Sequence, residues 1–215
     1  MSYLLADIQA ALETRYDVSV PYRVENFVLH DSAQFVELSG NSPASPEVLL
    51  LQESGDNLDL TLFLDSCVMD SARQSNWQQE WSGDRFSDHC IVLEGVSHFL
   101  YLVWNAHHDR AVKVHELEVQ AEVDKFVFAT LIANRADLPV PHLLTRLFEE
   151  VSYREGLSEE VCARYESANY YAALYCQWLA DKFEFFTDNG ELRAELARFY
   201  RLTGSAKINR IKALH

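Results

Sequence analysis

Residues 90–104 read CIVLEGVSHFLYLVW, an almost unbroken apolar run that carries one acid and one imidazole. Glu94, His98, Tyr101 and Asn105 fall at i, i+4, i+7 and i+11, one stripe on a helix of about 3.6 residues per turn. A solvated helix face is broad and charged, and this stripe is a single line. It therefore points inward. A second line, Glu116, Gln120 and Asp124, runs between two apolar arcs of the next segment, one holding Leu117, Ala121 and Phe128 and the other Val119, Val123 and Phe126. His115, Glu118, Glu122 and Lys125 gather on a third arc that reads as solvent-facing. A hairpin folded at Asp109 brings Glu94 level with Asp124 and His98 level with Gln120, so the two lines meet.

Such a meeting has chemical consequences. Buried carboxylates are costly unless paired or hydrogen-bonded, so they are either satisfied structurally or used. One imidazole with two or three carboxylates suits divalent iron, manganese or zinc, which makes Glu94, His98, Glu116 and Asp124 candidate metal ligands. Glu94, His98 and Asp124 are also the candidates for acid–base catalysis, with His98 a base held by a carboxylate. Tyr101, Asn105 and Gln120 complete the polar cluster. The structural alternative is a hydrogen-bonded network that fixes helix register and does nothing else.

Known motifs do not decide between these. The spacing Glu-x-x-x-His occurs once, where di-iron bundles use Glu-x-x-His. HELE at 115–118 is not His-Glu-x-x-His, the seven glycines form no phosphate loop, and no Gly-x-Ser-x-Gly elbow occurs. His107 and His108 beside Asp109 read as an exposed hairpin tip.

The elements that would hold the cluster follow from periodicity. Leu4, Leu5, Ile8 and Leu12 predict a short amphipathic helix, with Ser2 as its cap. Residues 17–38 mix β-branched, aromatic and polar residues around Pro21, and predict short extended segments. EVLLLQE and LDLTLFLD flank SGDN, a hairpin at about 47–65. Residues 71–88, with Trp77 and Trp81, read as a connector. A helix started by Ser87 and Asp88 runs to about 106 and a second through 135, stopped by ADLPVP. Segments 142–150, 158–186, 190–202 and 205–214 are helical. The long one carries a seam of Val161, Tyr165, Ala168, Ala172, Tyr175, Leu179 and Phe183, with Tyr170, Tyr171 and Trp178 at a rim. The expected fold is α+β: a mixed region 1–86 with an antiparallel hairpin, packed on a helical bundle at 87–215.

EGVSHFLYL at 94–102, QAEVDKF at 120–126 and FYRL at 199–202 with the following Lys207 resemble an uncharacterised family of bacterial proteins. The resemblance covers mostly the helical half. It implies no activity, and it transfers no role to any residue.

A net charge of −15 argues against nucleic-acid binding, which needs a basic surface. Residues 201–215 oppose that trend: they carry +4, leaving −19 on residues 1–200, and docking on the acidic body is the expectation. No secretory signal or membrane span is read, and Cys67, Cys90, Cys162 and Cys176 read as reduced core residues of a cytoplasmic protein. With no catalytic motif, the leading expectation is an interaction or regulatory protein with a protein partner or a second copy of itself. A metal-dependent or acid–base enzyme centred on Glu94 and His98 is the alternative, and a small-ligand sensor the third. A cleft that reaches the pair favours the last two.

Overall fold

The computed structural model describes residues 4–55, 57–74, 85–136, 139–153, 156–185 and 189–215. Helix α1 (Leu4–Tyr16) buries Leu4, Leu5, Ile8, Leu12 and Tyr16, the stripe its spacing prescribes. Its Ser2 cap, Trp77 and Trp81 lie outside the described residues.

The sheet has the order β1 (Val28–Leu29), β3 (Asn57–Leu64), β2 (Glu47–Ser54). β2 and β3 are the antiparallel hairpin expected at 47–65, registered Glu47 to Leu64, and β1 joins β3 in parallel, Val28 to Leu62. Period-two alternation sends Leu62 and Leu64 into the core, while Phe63 goes to the other face against Phe35, ring centroids 4.9 Å apart.

Residues 17–38 correct the expectation of extended segments. Only Val28 and Leu29 form a strand; Val24–Asn26 is a single 3-10 turn and Ser32–Ser39 is helix α2. The helix start was present in the sequence: the Asp31 side chain accepts from the Ala33 amide at 2.7 Å, and Gly40 ends the helix at φ 73°. Helix α3 (Ser66–Gln74) follows β3.

Helices α4 (Phe86–Ala106) and α5 (Val114–Ala136) form the hairpin the sequence implies, turning through Asp109 at φ 53°. His107 and His108 stand exposed at its tip. Helix α6 (Val140–Leu144) starts behind Pro139 and widens into a turn over Thr145–Glu149, where the Glu150 amide donates to the Thr145 carbonyl at 3.0 Å. Helix α7 (Glu159–Lys182) is capped by Ser158 and buries Ala168, Ala172, Tyr175 and Leu179 of the seam. Tyr170 is 60% exposed, whereas Tyr171 and Trp178 are half-buried. Helices α8 (Gly190–Tyr200) and α9 (Gly204–Lys212) complete the α+β fold.

The core runs from Leu4 to Ile211 and is built around α5, which packs on α4 at one side and α7 at the other. Tyr16 of α1 stacks on Tyr200 of α8 at 4.5 Å. The basic end docks on the body as its charge suggested: Arg201 binds the Tyr16 and Ala197 carbonyls, Arg210 binds Glu195, and Lys207 is buried. Cys176 is buried, but Cys67 is exposed on α3, so it is no core residue. No helix of the described residues is long and apolar enough to cross a membrane.

Candidate functional site

The two polar lines do meet across α4 and α5, within one to three residues, less than a helical turn, of the register that the turn implied. Glu94 faces Lys125, Ser97 faces Asp124, His98 faces Glu118 and Tyr101 faces Glu116. They do not make one cluster. Among the described residues, the hydrogen bonds and ion pairs separate them into an inner set and an outer set.

The inner set centres on Asp124, which has no exposed surface. Its Oδ1 accepts from the Tyr16 hydroxyl and from Gln120 Nε2 at 2.7 Å, and its Oδ2 accepts from the Ser97 hydroxyl at 2.5 Å. Lys207 Nζ donates to Gln120 Oε1 and lies 4.2 Å from the Tyr101 ring centroid. Tyr101 donates to Glu116 Oε1 at 2.5 Å, and Asn105 donates to the Tyr101 carbonyl at 2.8 Å. Burial raises the Asp124 carboxyl, while the three donors hold it as an acceptor. Burial also lowers Lys207 to about 7, against the pull of Glu116 and Asp124. Gly204 lets α9 lie close against Glu116: a Cβ on it would stand 2.8 Å from Glu116 Oε2 and 3.2 Å from Glu116 Cβ. Of the sequence candidates, Glu116, Asp124, Gln120, Tyr101 and Asn105 all belong to this set.

Glu94 and His98 belong to the outer set, and their companions were not among the candidates. His98 is 7% exposed; its Nδ1 lies 3.3 Å from Glu47 Oε1 and its Nε2 lies 3.7 Å from Glu118 Oε2. Nε2 makes no hydrogen bond among the described residues. Lys125 bridges Glu94 at 3.2 Å and Glu122 at 2.6 Å, and Arg164 of α7 approaches Glu118 at 3.7 Å. Burial alone would lower His98, yet Glu47, Glu94 and Glu118 outweigh it and push the imidazole up to about 9. Burial would raise Glu94, but Lys125 and His98 hold it below the usual carboxylate range. Burial pushes Glu118 up to about 7 and also raises Glu122.

One arc of α5 was misread. Glu118 and Lys125 looked solvated but are buried, because α7 covers that face through Arg164 and through Ser167, whose Oγ lies 3.0 Å from His115 Nε2. Glu47 was missed although its signal was present. The hairpin register pairs it with Leu64, so an acid occupies an inward position at the start of a core strand. Gly95 permits the close approach: a Cβ there would stand 3.1 Å from Glu47 Cγ, Leu62 Cδ1 and Leu64 Cδ2.

This arrangement has two chemical capacities. Glu47, Glu94 and His98 offer three ligand atoms that all lie within 4.8 Å of one another. Glu94, Glu122 and Lys125 also form a wall of an open cleft of about 410 Å³, completed by Phe86, Cys90, Ile91, Arg146, Leu147 and Glu150. Acid–base catalysis by Glu94 and His98 themselves fits less well, since an imidazole near 9 and a depressed carboxylate are both removed from neutrality. No family model, curated protein or solved structure matches this chain.

Proposed function

We propose that this protein is a metal-dependent enzyme: Glu47, Glu94 and His98 hold one divalent cation, and a small polar substrate enters the cleft beside it. The observation that carries this reading is the convergence of three ligand atoms on one point, with Glu94 shared between that point and the cleft. An imidazole with two carboxylates suits iron, manganese or zinc, and the volume falls in the range of small-molecule sites. Charge supports it as well. Glu47, Glu94, Glu118 and Glu122 gather around His98, Lys125 and Arg164, an acid-rich surrounding that favours a cation. Glu116 and Asp124 are not among these ligands: they lie in the inner set, outside the group formed by Glu47, Glu94 and His98.

Elemental analysis of the untagged protein tests the reading. The expected result is near-stoichiometric iron, manganese or zinc in the wild type and its loss in His98→Ala and Glu47→Gln. Protein that is metal-free, and that binds neither Mn²⁺ nor Zn²⁺ when offered them, would end it.

The interaction reading keeps one specific observation in its favour. β2 is an edge strand with no neighbour on its outer side among the described residues, and Leu51 and nearby Leu58 are exposed. Light scattering on a Leu51→Lys variant tests it, with dissociation of a wild-type oligomer as the expected sign. The four free cysteines support a reducing, cytoplasmic setting for either reading.

A further inference from the structure

The buried Nε2 of His98, which makes no hydrogen bond among the described residues, leads beyond the three ligands. We propose that Glu118 is a positioning residue for the metal centre: it accepts Nε2–H of His98 and thereby presents Nδ1 to the ion. This rests on the metal reading above.

The geometry is a relay across three helices. His98 of α4 turns Nδ1 toward Glu47 and Nε2 toward Glu118 of α5, at 3.3 Å and 3.7 Å. Glu118 in turn faces Arg164 of α7, whose Nε is buried, makes no hydrogen bond among the described residues and lies 3.7 Å from Glu118 Oε1. Both His98 and Glu118 are more than nine-tenths buried, so water does not compete for Nε2. A neutral imidazole that gives one nitrogen to a cation keeps its proton on the other, and that N–H requires an acceptor. A carboxylate in this place fixes the tautomer and the ring plane and raises the ligand's basicity. Glu118 is the acid within ion-pair distance of Nε2 among the described residues, and Glu47 is the one at Nδ1. Arg164 restrains Glu118 from behind, which ties the orientation of His98 to the docking of α7.

The test is a calorimetric titration of the full-length protein with Mn²⁺ and, separately, Zn²⁺, for the wild type, Glu118→Gln, Glu118→Asp and Arg164→Met. Circular dichroism melts check that each variant folds. Affinity is expected to fall about 10- to 100-fold in Glu118→Gln, to recover in part in Glu118→Asp, and to fall less in Arg164→Met. Ring-nitrogen NMR of the Zn²⁺-loaded wild type is expected to show the His98 proton on Nε2. Wild-type affinity in a folded Glu118→Gln, or a proton on Nδ1, overturns the positioning role while the metal reading survives. Absence of binding in the wild type overturns the metal reading, and the role of Glu118 with it.

Discussion

The inner and outer polar sets share α4 and α5, where Ser97 and His98, and Asp124 and Lys125, are chain neighbours, and differ in how their charges are satisfied. Around Asp124, three hydroxyl or amide donors occupy two carboxylate oxygens, and Lys207 is held by Gln120 and three aromatic rings. Around His98, acids and bases meet at 3.2–3.7 Å apart from the tighter Lys125–Glu122 pair, and two buried nitrogens, His98 Nε2 and Arg164 Nε, make no hydrogen bond among the described residues. A carboxylate with both oxygens engaged specifies packing, although the Tyr200 hydroxyl beside it makes no hydrogen bond among the described residues. An unsaturated set beside a cleft has capacity left for a ligand. The difference separates the roles proposed for the two sets: Asp124 and Glu116 are buried and engaged, whereas Glu47 and Glu94 are only partly buried.

The largest expected effect breaks the inner set. Asp124→Ala strands the Tyr16, Ser97 and Gln120 donors in the core, and should lower stability by roughly 3–5 kcal/mol. Urea unfolding measures this, and metal affinity of the folded fraction should be unchanged. A loss below 1 kcal/mol would remove the contrast between the sets. Gly95→Val acts from the other side. Overpacking against Glu47, Leu62 and Leu64 should cost about 1–3 kcal/mol, and displacing Glu47 should weaken Mn²⁺ binding in the same variant. Equal loss of stability with undisturbed binding would exclude Glu47 as a ligand.

The smallest effects are slopes with pH, and they have opposite signs. Lys207 is lowered in the fold from 10.5 to about 7, so the unfolded chain holds more protons in that window. Its contribution to stability therefore increases as pH rises from about 7 toward 10.5. His98 is raised from 6.5 to about 9, so in chelator-treated protein the folded chain holds more protons there. Its stabilisation is complete below about 6.5 and is lost as pH rises through 9. Urea midpoints between pH 6 and pH 10 check both. Lys207→Met should remove the rising part and His98→Gln the falling part; the same slope change in both would merge the two sets into one.

Much of the scaffold was legible in the sequence because it depends on local periodicity. The 47–65 hairpin shows alternation and a turn cluster, and the α4–α5 hairpin shows two helical periods around a polar tip. Helix α2 was equally local, in Asp31 and Gly40, and was hidden by the β-branched and aromatic residues around it. The polar stripes on α4 and α5 were readable, and so was their approximate register.

What lay beyond the sequence was the division of those stripes. Which acids join His98 depends on β2 closing over Gly95 to deliver Glu47, and on α7 covering an arc of α5 that looks solvated in isolation. Which acids are withdrawn depends on α1 bringing Tyr16 to Asp124 and α9 bringing Lys207 to Gln120, partners 108 and 87 residues away. Periodicity records which side of an element is polar. The counter-charge that meets it is set by long-range packing, where burial multiplies the cost of any charge left unpaired.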